Sequence, residues 1–181
     1  MKKTLMTLAA VLCCAMTMTV LTACGSDDET SKKTDDKTRV GCGMKYMFSV
    51  GTELFQYVDF TVEYYDKDGK VQSEKMANEL WEKTVETKLP GKVGVQVKLQ
   101  MKEGVDPSAV EWVTVTYTYN YHAYTLTADG KKVAGDINAA SPKRAIPGSR
   151  LTDWVSENAI LKAVSFGYSF DANGNQTNTG F

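Results

Sequence analysis

The only histidine of the 181-residue chain, His122, is the first residue that could carry out acid–base chemistry. An imidazole acts as a general base or as a metal ligand at neutral pH. A catalytic base needs an adjacent nucleophile and an orienting group, and no sequence motif around His122 supplies either of them. The pattern therefore favours a structural histidine at a strand edge, in a loop or a bulge.

Two aspartate-rich stretches resemble the start of a calcium-binding loop. The stretch Asp66-Lys67-Asp68-Gly69 has glycine at its fourth position, whereas an EF-hand loop needs glycine at the sixth. Residues 171–175 depart from the calcium pattern in the same way. The sequence therefore predicts hairpin turns at both places and no metal site.

Aromatic side chains are the candidates for ligand binding. Three tyrosines share one face of a predicted strand, where stacked rings can bind sugars. The same register begins with Val113 and Val115, which favours the alternative that the tyrosines continue the core. The candidate ligand-binding residues are Tyr117, Tyr119, Tyr121, Trp112 and Trp154.

Basic side chains gather between residues 131 and 150, where they could form a patch for an acidic polysaccharide. The surrounding charge is mixed, which favours an ordinary solvated face instead. The chain as a whole has 21 basic and 22 acidic residues. Without a basic excess there is no electrostatic basis for a nucleic-acid partner. The basic residues concerned are Lys131, Lys132, Lys143, Arg144 and Arg150.

The N-terminus has the pattern of a secretory signal. Lys2 and Lys3 precede an uncharged, largely apolar stretch that is shorter than the ~20 residues of a membrane-spanning helix. The stretch ends in Leu21-Thr22-Ala23-Cys24, which resembles the lipobox of bacterial lipoproteins. That resemblance implies a signal peptide at residues 1–23 and lipid attachment at Cys24. The alternative is an ordinary signal peptide that is cut nearby, with Cys24 incidental.

Lipid attachment at Cys24 would place the protein on a membrane. More than one acyl chain holds a protein to a bilayer stably. The acidic run that follows Cys24 resembles the surface-export signals of Bacteroidetes lipoproteins, so we expect the bacterial outer membrane and an outward-facing domain. The alternative is a domain that faces the periplasm. Residues 24–39 contain no hydrophobic residue after the cysteine and predict a flexible tether.

Cys42 is then the only thiol left to the domain. Cys13 and Cys14 leave with the signal peptide and Cys24 carries the lipid, so no internal disulfide can form. Cys42 shares its register with Met44 on the predicted inner face. This favours a buried structural cysteine over a reactive thiol.

These candidates must be positioned by β-strands, because apolar and polar residues alternate over most of the chain after residue 39. Such alternation is typical of strands with one buried and one solvated face, and it favours antiparallel sheets. A helix is an alternative for residues 76–89. The predicted strands are residues 40–50, 58–64, 71–76, 81–89, 93–101, 113–121 and 164–170.

Local signals predict the connections. Pro90 and Gly91 predict a type II turn, and glycines at 69, 130 and 174 predict hairpin turns. Residues 135–160 break the alternation and predict a loop, with one short helix after Ser149.

A phase change within the sixth predicted strand indicates a bulge. Beyond Tyr121 the apolar register passes to Tyr124 and Leu126, and a bulge near His122-Ala123 accounts for that change.

Together these elements predict an all-β fold. Roughly eight strands with frequent turns indicate an antiparallel β-sandwich of Ig-like or related topology with one short helix. The domain is expected to span residues 40–181, and no second domain or internal repeat is visible.

As a whole the chain resembles the small β-sandwich lipoproteins of Bacteroidetes. The resemblance rests on the lipobox, the acidic run, a hairpin at residues 64–69, a strand that begins at Trp81, and the turn at Pro90 and Gly91. It implies no catalytic residue. We therefore expect a non-enzymatic, surface-anchored binding or adhesion module without a cofactor, and a glycan is the candidate ligand. The alternative is a structural or accessory subunit of an outer-envelope protein complex, and a hydrolase is a distant third.

Overall fold

The structure is a computed structural model that describes residues 38–157 and 164–181. The predicted signal peptide, the lipid attachment site Cys24 and the tether as far as residue 37 lie outside the described residues. Expectations about these segments therefore stay predictions.

The described chain forms two antiparallel sheets of five strands each, which confirms the predicted all-β sandwich. The first sheet has the order β4-β1-β6-β7, with β8 paired to the beginning of β6. The second sheet has the order β10-β9-β5-β2-β3. The strands are β1 Arg39–Val50, β2 Val58–Tyr65, β3 Val71–Lys75, β4 Leu80–Lys88, β5 Gly91–Met101, β6 Trp112–Thr127, β7 Lys132–Ala140, β8 Lys143–Pro147, β9 Ser165–Phe170 and β10 Gln176–Asn178.

The core lies between the two sheets, where the alternating apolar residues meet. In β2 every second residue from Val58 to Tyr64 is buried, and the intervening residues are half-buried. Phe48 of the first sheet lies 6.0 Å, centroid to centroid, from Phe60 of the second. The predicted short helix is α2, Leu151–Ser156, and its residue Leu151 is fully buried in the core.

Two parts of the chain differ from the predictions. Residues 135–147 were expected to be a loop, but β7 and β8 occupy most of that stretch. The described side chains of both strands are mostly exposed, so they carry no clear apolar alternation. A second short helix, α1 at Thr52–Tyr57, was not predicted, and it contributes Leu54 to the core.

The turns follow the glycine signals at three places and depart from them at a fourth. Gly69, Gly130 and Gly174 all have positive φ, which confirms the hairpin turns. The expected type II turn at residues 90–91 is wrong. The Leu89–Pro90 peptide bond is cis, and Gly91 does not have the positive φ that a type II turn requires at this position.

The strand pairing is irregular at the predicted place, but the expected phase change within β6 is wrong. The pairing of β6 with β7 shifts between His122 and Tyr124, with the extra residue in β7. The pairing of β6 with β1 is continuous over the same residues, so β6 keeps its phase. Tyr124 consequently lies on the outer face of the first sheet, opposite Gly43. The expectation that Tyr124 joins the core register is therefore wrong.

Candidate functional site

The proposed tyrosine platform does not face solvent. Tyr119 and Tyr121 are 9% and 2% exposed and belong to the core between the sheets. The ring of Tyr121 lies 4.5 Å from that of Phe166, centroid to centroid. Tyr117 is half-buried and packs against the same cluster. These tyrosines continue the core face, and a sugar-binding platform built from their rings is ruled out.

Of the two candidate tryptophans, one is buried and one is exposed. Trp154 is 7% exposed on α2, and the guanidinium of Arg144 lies 5.1 Å above its ring. Trp112, at the start of β6, is 53% exposed, and its indole N–H donates to Glu111. Only Trp112 among the five candidate residues presents a large aromatic surface to solvent.

Cys42 is confirmed as a buried cysteine. It is fully buried on the inner face of β1, and burial raises its thiol pKa to about 11. A thiol with that pKa stays protonated at neutral pH, so it is a poor nucleophile. His122 lies on the outer face of the same sheet, so the two side chains cannot form a thiol–imidazole pair.

In each aspartate-rich stretch, the carboxylate of the first aspartate accepts hydrogen bonds from backbone N–H groups of the same turn. One carboxylate oxygen of Asp66 accepts from the backbone N–H groups of Asp68 and Lys70, both at 2.9 Å. Asp171 accepts from residues 173 and 175 in the same manner, at 2.8 Å. Within residues 38–157 and 164–181, no three His, Cys, Asp or Glu side chains are grouped so that they could hold a metal ion.

The outer face of β6 carries a row of polar side chains, which we call the outer row. Val113 and Val115 are buried on the inner face, so the alternate residues point outward. At about 3.4 Å per residue, the row extends over roughly 34 Å. It consists of Trp112, Thr114, Thr116, Thr118, Asn120 and His122.

A small cavity of about 120 Å³ lies at the His122 end of the outer row, and we call it the His122 pocket. Three neighbouring strands build it, because Lys45 of β1 pairs with His122 and Met47 pairs with both Asn120 and Glu82. Its lining residues are Lys45, Met47, Glu82, Asn120 and His122.

The polar groups of the His122 pocket do not satisfy one another. His122 Nε2 is buried and has no hydrogen-bond partner in the described part of the chain. No ion pair within 4 Å engages Lys45 or Glu82 among the same residues. A buried polar atom without a partner is uncommon, because it loses its hydrogen bonds to water without replacement. Lys45, Glu82 and Asn120 are exposed, so their donors and acceptors are available to a ligand.

The neighbouring group on the same face is fully engaged, and we call it the Tyr124 cluster: Tyr124, Glu86 and Lys132. The Tyr124 hydroxyl donates to Glu86 at 2.6 Å, and Lys132 Nζ lies 3.0 Å from the hydroxyl oxygen. The same ammonium lies 3.1 Å from the Glu86 carboxylate. Hydrogen bonds from Tyr124 and Lys132 hold the pKa of Glu86 below its usual range.

A larger, open groove of about 580 Å³ lies beyond the Tyr124 cluster, near the start of β1. Its lining combines the β2–β3 turn with residues of β1, β4 and β6, among them Val40, Gly41 and Leu126. Two of its polar groups are already engaged: Glu86 belongs to the Tyr124 cluster, and the Thr87 hydroxyl donates to the carbonyl of Lys67 at 2.6 Å. We therefore regard the His122 pocket as the better candidate site.

The sequence pointed to His122 but not to its neighbours in the pocket. Lys45 and Met47 occupy the outward positions of β1, and only their pairing with β4 and β6 brings Glu82 and Asn120 beside them. These strands are distant in sequence, so no local pattern revealed the pocket.

No family model matches the chain, and neither does any curated protein or solved structure. None of the described helices is long and apolar enough to span a membrane.

Proposed function

We propose that the chain is a lipid-anchored, non-catalytic binding module of the bacterial outer membrane, displayed outward, with a glycan as its ligand. The observation that carries the binding role is the His122 pocket, where four polar side chains surround a cavity without pairing. The lipobox ending at Cys24 and the acidic run behind it support the anchor and the outward display.

Glycan chemistry matches the outer face of the first sheet. Sugars offer many hydroxyl groups that donate and accept hydrogen bonds, and the outer row offers threonine, asparagine and histidine side chains. The exposed ring of Trp112 offers an apolar face with a polar edge, which suits the mixed character of a sugar ring. Glycan binding of this kind needs no nucleophile in the His122 pocket.

Binding is tested by applying the purified mature chain, which is residues 24–181 with the proposed lipid anchor, to an array of glycans in detergent. We expect a subset of glycans to bind the wild-type chain and His122→Ala to lose most of that signal. A chain that is folded by circular dichroism and binds no glycan would overturn the proposed ligand class. Turnover of any glycan on the array would overturn the non-catalytic role.

The anchor is tested on cells grown with labelled palmitate. The wild-type chain should incorporate label and be digested by protease added to intact cells. Cys24→Ala should incorporate none. Label retained by Cys24→Ala would contradict lipid attachment at this residue, and protection of the wild-type domain from protease would contradict outward display.

The edge strand β7 favours a second candidate, an accessory subunit of an envelope complex. Unpaired strand edges can pair with other chains, and charged side chains normally prevent it. The opposite edge strand, β4, carries several charges, whereas β7 has only Asp136 between Val133 and Ala140. That carboxylate accepts from Gln176 at 2.8 Å, and Ile137 is 66% exposed.

Crosslinking on intact cells separates the two candidates. An accessory subunit should give a stoichiometric protein adduct that Ile137→Lys abolishes, because a charge on β7 opposes strand pairing. Thr84→Lys on β4 is the matched control and should keep the adduct. Absence of any stoichiometric adduct from the wild-type chain would argue against the accessory role.

A further inference from the structure

The size of the His122 pocket limits what can enter it. Its volume of about 120 Å³ exceeds the ~30 Å³ that one water molecule occupies in the liquid. It is smaller than the roughly 300–1,000 Å³ of pockets that enclose a drug-sized ligand. The pocket is therefore suited to one substituent of a larger ligand rather than to a whole oligomer.

The lining of the His122 pocket combines hydrogen-bond donors, hydrogen-bond acceptors and an apolar side chain. The Lys45 ammonium can only donate hydrogen bonds, and the Glu82 carboxylate offers acceptor oxygens. Asn120 can do both. Met47, which lies between Glu82 and Asn120 in the strand register, adds an apolar and adaptable surface. A substituent that satisfies the pocket must therefore offer an acceptor, a donor and an apolar group within a few atoms of one another.

We infer that the His122 pocket binds the acetamido group of an N-acetylated sugar, an inference that rests on the glycan-binding function proposed above. The acetamido carbonyl accepts from Lys45 or Asn120, its N–H donates to Glu82, and its methyl group packs on Met47. His122 Nε2 is buried in this structure, and a turn of the imidazole toward the pocket brings it to a neighbouring hydroxyl of the same sugar, which removes its unpartnered state.

Other sugar classes match the lining less well. A uronic acid brings a carboxylate that suits Lys45 but lies beside the like charge of Glu82, and like charges disfavour each other. A neutral hexose brings hydroxyl groups but no apolar substituent for Met47. A polar group that loses water without gaining a partner lowers affinity, so each mismatch weakens binding.

The inference is tested by calorimetric titration of the full mature chain in detergent. The three probes are tetramers of N-acetylglucosamine, glucose and galacturonic acid. We expect binding of the N-acetylated tetramer alone. Glu82→Gln should weaken that binding about tenfold, because the N–H of the ligand loses a charged acceptor. Glu86→Gln, on the same face of the same strand, is the matched control and should leave the affinity unchanged.

The outcomes distinguish the acetamido assignment from the glycan-binding function on which it rests. Binding of the glucose or galacturonate tetramer as tightly as the N-acetylated one would overturn the acetamido assignment and leave the glycan-binding function standing. Selective binding that Glu82→Gln does not alter would overturn the assignment to this pocket. No binding of any glycan, here or on the array, would overturn both.

Discussion

The His122 pocket and the Tyr124 cluster lie next to each other on the same face of the first sheet, yet their polar groups are used differently. In the cluster, the hydroxyl, carboxylate and ammonium satisfy one another within 3.1 Å. In the pocket, the charged groups form no ion pair among the described residues and His122 Nε2 has no partner. Exposure of polar residues does not by itself mark a site, because engagement by neighbours decides whether they are available to a ligand.

A third group of hydrogen-bonded side chains resembles the Tyr124 cluster, and its hydrogen bonds join the two sheets. The Glu74 carboxylate on β3 accepts from Tyr64 at 2.6 Å, from the Trp81 indole at 2.8 Å, and from Lys83. Trp81 and Lys83 belong to β4, so these bonds join the second sheet to the first. Burial raises the pKa of Glu74, but the three hydrogen bonds outweigh it and lower the pKa to about 2.

The largest expected effect is a difference in the free energy of unfolding between a variant of the Tyr124 cluster and a variant of the His122 pocket. Tyr124 is 1% exposed, so Tyr124→Ala should lower the free energy of unfolding by about 3 kcal/mol. His122→Ala removes a half-buried side chain whose Nε2 is unpartnered and should cost less than about 1 kcal/mol. Denaturant unfolding followed by circular dichroism measures both variants. Equal losses would show that His122 contributes to the fold as much as Tyr124 does.

A somewhat smaller loss of stability is expected from a substitution of Gly43, which lies beneath the Tyr124 ring. A methyl group on Gly43 would lie 2.8 Å from that ring and 2.8 Å from the carbonyl oxygen of Val85. Gly43→Ala should therefore displace Tyr124 and lower the free energy of unfolding by about 2 kcal/mol. Ser49→Ala, at another outward position of β1, is the control and should be nearly neutral. A Gly43→Ala variant as stable as the wild type would show that Tyr124 does not depend on this close contact.

The smallest expected effect concerns acid stability through Glu74. Its pKa falls from the ordinary value of 4.5 to about 2 in the folded protein. The stabilisation is therefore present above pH 4.5 and is lost as the pH falls through the folded pKa. Thermal melts between pH 5 and 2, a range set by those two values, should show a smaller pH-dependent loss for Glu74→Gln than for the wild type. An unchanged pH dependence would contradict the engaged state of this carboxylate.

The sequence predicted the sandwich because burial on one face leaves a period of two along each inner strand. It did not predict β7 and β8, since both strands are largely exposed and lack that period. It placed Tyr124 in the core because a tyrosine in an apolar register suggests burial inside. Tyr124 is indeed buried, but on the outer face, where the missing side chain of Gly43 makes room for it.

The candidate site was harder to predict than the fold. Residue type and position drew attention to His122, but the tyrosines that looked most suggestive proved to be core residues. The pocket depends on the register between β1 and two strands that are distant from it in sequence. Pairing of this kind is set by the packing of the whole sheet, so the neighbours of His122 could not be read from its surroundings in the chain.

The most direct test of the ligand-binding role follows from His122 being the only histidine. Its imidazole nitrogen signals can be assigned in an NMR spectrum of the ¹⁵N-labelled chain without ambiguity. Titration with a glycan that binds should shift the Nε2 signal in proportion to occupancy, because the ligand supplies the missing hydrogen-bond partner. Saturating binding that leaves this signal unchanged would contradict the assignment of the site to the His122 pocket.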